Sequence, residues 1–81
     1  VKLYRLHHPH EAKCALLVHI GPEGKGGIAF SGHCDVVPVT QQKWDTDPFE
    51  LVEQNERLLG RGTTDMKGFI AACLAMVPEW T

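Results

Sequence analysis

The sequence predicts an α/β fold, built from short strands and one apolar helix. Residues 1–6 alternate apolar and polar side chains, which is the pattern of a half-covered strand. Two short apolar runs with β-branched residues follow at 14–20 and 28–32, and each has the length of a buried strand. Residues 65–77 form a longer apolar stretch, which predicts a helix. Strands followed by a helix indicate the α/β class.

Loops and a second hairpin connect these segments. Glycine, proline and polar residues mark the loops, which we place at 7–13, 21–27 and 40–48. Residues 49–53 and 57–59 flank the sequence QNE, and this arrangement predicts a hairpin. Residues 36–39 are apolar but are interrupted by Pro38. The helix that follows the hairpin is therefore the longest regular element predicted.

The predicted helix is apolar on nearly all sides. We expect Asp65 to open it as an N-cap carboxylate, which the helix dipole also favours, and Pro78 to end it. A helix of this kind needs cover on several sides. A chain of 81 residues buries only about 60% of the surface that its unfolded form exposes. We therefore expect the chain to be part of a larger α/β domain.

Composition and charge exclude several functional classes. Apolar residues make up 43% and charged residues 22% of the chain, as in folded proteins and unlike disordered ones. The net charge of −2 gives no basic surface for nucleic acid. No run approaches the roughly 20 apolar residues of a membrane span. The separate cysteines Cys14, Cys34 and Cys73 favour a reducing compartment, which predicts a cytoplasmic protein.

His33 is the first candidate site residue, because it stands at the end of an apolar segment. Asp35 follows two positions later, so both side chains lie on one side of an extended segment. A carboxylate in that place can hydrogen-bond the imidazole and fix the tautomer of a metal-binding histidine. A structural or solvated histidine beside an aspartate explains the same local pattern.

Asp65 is the second candidate, delivered by a glycine-rich loop. A helix N-terminus keeps a carboxylate ionised, which is the form that a divalent cation binds. From the local sequence alone, an N-cap role is the favoured explanation. Catalytic zinc takes about three protein ligands and water, so His33 and Asp65 do not complete a site. A further loop has three histidines that either are solvated or capture adventitious metal, namely His7, His8 and His10.

Two blocks of sequence together resemble a known family. The first is residues 31–38 (SGHCDVVP) with 44–49 (WDTDPF), and the second is residues 60–68 (GRGTTDMKG). Their order, spacing and intervening hairpin are similar to those of the co-catalytic zinc deacylases and exopeptidases. That family includes acetylornithine deacetylase, succinyl-diaminopimelate desuccinylase, aminoacylase and carboxypeptidase G. The resemblance covers residues 14–80, and residues 60–71 are most similar to the acetylornithine deacetylases.

This resemblance implies a site and a cofactor. His33 is implied to be a metal ligand, and Asp65 the carboxylate that bridges two zinc ions. Nitrogen and oxygen ligands accept cobalt as well as zinc. Asp35 is the candidate catalytic residue, in that it supports the site through His33. The family also tends to have a cis peptide after the bridging aspartate, which falls here between Asp65 and Met66.

The resemblance further implies a fold, a reaction and partners. Residues 1–81 would be a fragment of a three-layer αβα catalytic domain with a mixed sheet. The dimerisation domain, the other ligands and the general-base glutamate of a Glu-Glu pair would lie elsewhere, and the fragment alone would be inactive. The expected reaction removes the acetyl group from N-acetyl-L-ornithine, a small molecule, in a homodimer without nucleic-acid or membrane partners. A desuccinylase, a general aminoacylase or carboxypeptidase, and a non-catalytic remnant that acts as a binding piece are the alternatives.

Overall fold

Four strands and one long helix make up the regular structure of the chain in the computed structural model, which describes residues 1–81. The elements in chain order are β1 (Lys2–His7), β2 (Cys14–His19), β3 (Val52–Gln54), β4 (Arg57–Leu59) and α1 (Gly68–Trp80). β1 pairs with β2, and β3 pairs with β4, in two separate antiparallel sheets of two strands each. Strands and a helix in this order agree with the predicted α/β class.

The hairpin predicted around residues 54–56 is confirmed: its second strand lies at 57–59 as predicted, and its first is shorter than the predicted 49–53. Val52 pairs with Leu59 across it. Its two turn residues, Asn55 and Glu56, have φ values of 53° and 60°. Two positive φ values in succession define the type I′ turn, whose twist matches that of the flanking strands. The turn geometry therefore fixes the register of this small sheet.

The strands predicted to be buried are exposed. In β2, Leu16 and Leu17 are 62% and 54% exposed, and Gly62 is the one buried residue of the chain. The radius of gyration is 16.2 Å, whereas a compact domain of this length has about 12 Å. A sheet buries its apolar face only against a second layer. The chain places no such layer over β1 and β2, so the burial prediction is wrong.

The strand predicted at residues 28–32 is also absent, and the apolar run at 36–39 forms none either. Ile28 is 85% exposed. A strand exists only with a neighbour to accept and donate its hydrogen bonds, and no segment of the chain pairs with this one. The segment lies beside α1 instead, where the rings of Phe30 and Trp80 stack with centroids 5.4 Å apart.

The helix begins three residues later than predicted. Asp65 has φ −127° and ψ 94°, which is extended backbone, and regular α1 starts at Gly68. No side chain caps the helix N-terminus. The N-cap prediction for Asp65 is therefore wrong, because its carboxylate is directed toward His33.

The helix also continues past Pro78 to Trp80. A proline in the last turn removes only its own backbone donor, so the residues after it keep theirs. The hydroxyl of Thr81 donates to the carbonyl oxygen of Val77 at 3.1 Å and satisfies one of the last acceptors. No helix of the chain, α1 included, is both long enough and apolar enough to cross a bilayer.

Candidate metal centre

The loop after β4, residues 60–67, is tied to the chain by its main-chain groups. The N–H of Arg61 donates to the carbonyl oxygen of Pro48 at 2.6 Å, which joins this loop to the loop before β3. The hydroxyl of Thr63 donates to the carbonyl oxygen of Gly60 at 2.9 Å and closes a tight turn. These bonds give the loop a defined path although it lies outside any sheet.

Gly62 brings this loop against the segment that carries His33. Its φ is +91°, a left-handed value that favours glycine. A Cβ at Gly62 would lie 2.7 Å from Cγ1 of Val36, closer than real side chains approach. Both the backbone angle and the contact therefore require glycine here. The approach places the two candidate ligands on neighbouring segments.

Asp65 lies in the kink between this loop and α1. The peptide bond between Asp65 and Met66 is cis, as the resemblance implies. At the end of the kink, the N–H of Gly68 donates to the carbonyl oxygen of Thr63. A Cβ at Gly68 would overlap that same oxygen, so this position also depends on glycine.

His33 and Asp65 are brought into direct contact, although 32 positions separate them in the sequence. Nε2 of His33 lies 3.0 Å from Oδ1 of Asp65. On the other side of the ring, Nδ1 lies 2.9 Å from the carbonyl oxygen of Asp35. A carbonyl oxygen only accepts, so Nδ1 donates, and the neutral ring has its lone pair on Nε2. This is the tautomer that binds a metal through Nε2.

Asp35 supports His33 mainly through its main chain. Its carboxylate oxygen Oδ1 is 3.3 Å from Nδ1 of His33, farther than the carbonyl oxygen, and the side chain is 94% exposed. The expected hydrogen bond from Nδ1 to the carboxylate is thus corrected to one from Nδ1 to the backbone carbonyl oxygen. The role of Asp35 as a supporting residue stays a prediction.

The pKa of His33 is raised above its ordinary value of 6.5. The largest cause is the hydrogen bond to the carbonyl oxygen of Asp35, and partial desolvation opposes it. The negative charges of Asp35 and Asp65 and the hydrogen bond to Asp65 also raise the pKa. When protonated, His33 donates Nε2–H to Asp65. The proton then occupies the nitrogen that a metal ion would bind.

The His33–Asp65 pair fits two ligands of a metal ion. Zinc binds histidine nitrogen and carboxylate oxygen at about 2.0–2.2 Å, which sets two tetrahedral ligand atoms about 3.4 Å apart. The observed 3.0 Å is close to that separation, and the side chains are 47% and 77% exposed. No group of three or more His, Cys, Asp or Glu side chains in the chain could hold a metal ion. The pair is therefore part of a site and not a complete one.

The histidine loop is separate from this pair. Nδ1 of His8 accepts hydrogen bonds from the backbone N–H groups of His10 at 3.1 Å and Glu11 at 3.0 Å. His7 is the last residue of β1, opposite Cys14. All three histidines of this loop are exposed. This agrees with the solvated-loop alternative.

Several positioning residues have no individual role in the sequence prediction. The Gly-Arg-Gly run could have marked Gly62 as a position that needs glycine, but nothing in the sequence indicates Val36 as its contact. The guanidinium carbon of Arg61 lies 5.2 Å from the ring centroid of Trp44. Trp44 lines a shallow open cleft of about 380 Å³, whereas Phe49 is outside that cleft and 69% exposed. Trp44 thus contacts, through Arg61, the loop that carries Asp65.

Comparison with known proteins gives one family and several relatives. The model of Peptidase family M20/M25/M40 matches residues 29–81. The chain is 50% identical over 66 residues to the acetylornithine deacetylase of Buchnera aphidicola subsp. Schizaphis graminum, covering 82% of this chain and 17% of that protein. It is 43% identical over 77 residues to the acetylornithine deacetylase of Buchnera aphidicola subsp. Acyrthosiphon pisum strain Tuc7, covering 95% and 19%.

A relative from another organism has a similar identity and a similar coverage. The acetylornithine deacetylase of Pectobacterium carotovorum subsp. carotovorum is 50% identical over 62 residues, covering 76% of this chain and 16% of that protein. The chain thus spans less than a fifth of the length of these curated relatives. No solved structure matches the chain.

Proposed function

The chain belongs to peptidase family M20/M25/M40, whose members are generally metal-dependent, and from this premise we propose that it supplies part of the metal centre of an amide hydrolase. The contact between Nε2 of His33 and Oδ1 of Asp65 carries the proposal. The relatives' printed name supports a substrate, N-acetyl-L-ornithine, which would be hydrolysed to ornithine and acetate.

His33 and Asp65 have separate tasks in this proposal. His33 offers its Nε2 lone pair, and the carbonyl oxygen of Asp35 holds the ring in the tautomer that keeps this lone pair free. Asp65 offers one oxygen beside His33, and its other oxygen, Oδ2, makes no hydrogen bond within the chain. Two oxygens on one carboxylate suit a group that bridges two ions. Bound zinc or cobalt would polarise the acyl carbonyl and acidify a water molecule.

Proton transfer belongs to a group outside this pair. The expected base is one glutamate of a Glu-Glu pair, and no two glutamates are adjacent in this chain. We assign the base and the remaining ligands to other parts of the full-length protein. We further propose that a three-layer αβα domain with a mixed sheet covers the exposed apolar side chains of β2 and α1. Homodimer formation rests on the resemblance, and a cytoplasmic location on three free cysteines.

Hydrolysis assays on the full-length protein test this proposal. N-acetyl-L-ornithine, N-succinyl-diaminopimelate and N-acetylmethionine are compared with added zinc or cobalt, and with a chelator. We expect chelator-sensitive turnover that prefers the ornithine substrate. Preference for another acyl amino acid would change the substrate and keep the reaction. Absence of turnover on all three substrates would favour a non-catalytic binding piece.

Substitution of the two ligands tests the metal centre directly. His33→Ala and Asp65→Asn are each expected to weaken zinc binding by at least about 100-fold, measured by competition with a chelator. His33→Ala removes a ligand atom, and Asp65→Asn removes the negative charge and one of the two carboxylate oxygens. His8→Ala is the matched control, since His8 caps a loop and is expected to leave zinc affinity unchanged. Unchanged zinc affinity in both ligand variants would contradict the proposal.

A further inference from the structure

Arg61 is attached to the loop before β3 by two independent contacts. Its backbone N–H donates to the carbonyl oxygen of Pro48 at 2.6 Å. Its guanidinium carbon lies 5.2 Å from the ring centroid of Trp44, within the range at which a cation is attracted to an indole face. The main chain and the side chain of one residue therefore bind the same neighbouring loop.

The guanidinium of Arg61 is not a solvated surface charge. Its Nε and Nη2 atoms are inaccessible to water and have no hydrogen-bond acceptor, and the same is true of Nε1 of Trp44. Nε and Nη2 form the edge of the group that pairs side-on with a carboxylate. No carboxylate of the chain pairs with that edge, so no ion pair holds the side chain in place. Its packing on Trp44 is the side-chain contact that remains.

Arg61 is also close to the candidate ligands along the chain. It directly precedes Gly62, whose contact with Val36 joins the loop to the segment of His33. Asp65 follows four positions after Arg61. The packing of Arg61 on Trp44 therefore acts on the same loop that carries the Asp65 carboxylate. The 3.0 Å contact between Asp65 and His33 depends on that loop keeping its path.

We propose that Arg61, packed on Trp44, is a positioning residue that holds the loop carrying Asp65 at a metal-binding distance from His33. This inference rests on the proposed metal centre and adds a residue pair to it. Arg61 does not touch the metal or the substrate. It acts through the loop, so its first effect is on metal affinity.

Zinc affinity of the full-length protein, measured by competition with a chelator, tests the role of Arg61. Arg61→Lys keeps the charge but replaces the planar group with a compact, strongly hydrated one. Trp44→Leu removes the aromatic face. Each is expected to weaken zinc binding by about 10-fold, as is typical of groups that orient metal ligands. Trp44→Phe keeps a ring, and Arg57→Lys changes an exposed arginine of β4, so both should stay within about threefold.

The double variant separates positioning from a general loss of structure. If Arg61 and Trp44 act as one unit, combining Arg61→Lys with Trp44→Leu costs no more affinity than either single change. Additive losses would overturn the proposal, as would unchanged affinity in Arg61→Lys or an equal loss in Arg57→Lys. If Arg61→Lys fails to fold, the test is whether Trp44→Leu weakens zinc binding by more than Trp44→Phe does. Equal zinc affinities of these two variants would overturn the proposal. If His33→Ala and Asp65→Asn both keep full zinc affinity, the proposed metal centre fails. If those two variants lose affinity and the Arg61 variants keep it, this inference alone fails.

Discussion

The β1–β2 hairpin and the His33–Asp65 pair are both exposed to solvent, yet they are held together in different ways. The hairpin has six continuous residue pairs, from Lys2 with His19 to His7 with Cys14. The His33–Asp65 pair has no ladder around it. It depends on single contacts, among them the close approach of Gly62 to Val36.

This difference shows where each region is sensitive to substitution. A ladder repeats the same backbone bonds at each step, so an exposed side chain on it can change with little effect. The His33–Asp65 pair has no such repetition, because each contact is made once and the next depends on it. Single substitutions around Gly62 should therefore have larger effects than equivalent ones in the hairpin or in its turn.

The largest expected effect comes from comparing Gly62→Ala with Gly26→Ala. The two glycines have nearly equal φ values, +91° for Gly62 and +87° for Gly26. A Cβ at Gly26 would have no atom within 4 Å. Gly26→Ala should cost about 1 kcal/mol from backbone strain alone. Gly62→Ala adds the clash with Val36 and should cost about 2–3 kcal/mol. Denaturant unfolding of the full-length variants measures both.

The Gly62→Ala and Gly26→Ala variants should also differ in metal affinity. Gly62→Ala should also weaken zinc binding, whereas Gly26→Ala should leave it unchanged, because only Gly62 contacts the segment of His33. Adding Val36→Ala to the Gly62→Ala variant relieves the clash between the two side chains. Part of the lost zinc affinity should then be recovered. Equal unfolding free energies for the two single variants would show that the contact with Val36 contributes nothing.

The second prediction concerns the protonation of His33. Its raised pKa means that folding favours the protonated ring, so the stabilisation from this pair is present below pH 6.5 and is lost as the pH rises through the folded-state value. In the metal-free protein, NMR titration should give a midpoint above 6.5 for His33, and Asp65→Asn should lower it. Zinc competes for the same nitrogen, so its affinity should fall by about tenfold per pH unit below that midpoint.

A control variant separates this titration from changes elsewhere. His8→Ala lies in the hairpin loop and should leave the titration of His33 unchanged. A His33 midpoint at or below 6.5, or one that does not respond to Asp65→Asn, would contradict the observed contact between the two side chains.

Local patterns in the sequence predicted the local structure well and the long-range contacts poorly. The strand at residues 1–6 and the hairpin around residues 54–56 were predicted correctly, because the patterns that indicate them lie in neighbouring residues. The strand at 28–32 was predicted wrongly, since strand formation needs a partner that the apolar pattern does not reveal. Asp65 has the local features of an N-cap, but its contact with His33 overrides them.

The candidate site was predicted residue by residue but not as a geometry. His33 and Asp65 were each identified from their position after an apolar segment or a glycine-rich loop, and the resemblance joined them. The contact of Gly62 with Val36 spans 26 positions, and no local pattern encodes it. The packing of Arg61 on Trp44 is long-range in the same sense. Both contacts join residues that are distant in the sequence, and they form only in the folded chain.

The smallest expected effect lies in the β3–β4 turn, which provides the contrast with Gly62. Glu56 has a φ of 60° and no contact that requires its side chain, whereas type I′ turns favour glycine at the second turn position. Glu56→Gly should therefore stabilise the protein, by less than about 1 kcal/mol. Thermal unfolding should show a small upward shift, with zinc affinity unchanged because the turn does not contact His33 or Asp65. Glu56→Gly would then raise the free energy of unfolding and Gly62→Ala would lower it, in both cases because the residue has a positive φ. Destabilisation by Glu56→Gly would contradict the argument from the positive φ, and a change in zinc affinity would mean that the small hairpin contributes to the metal site.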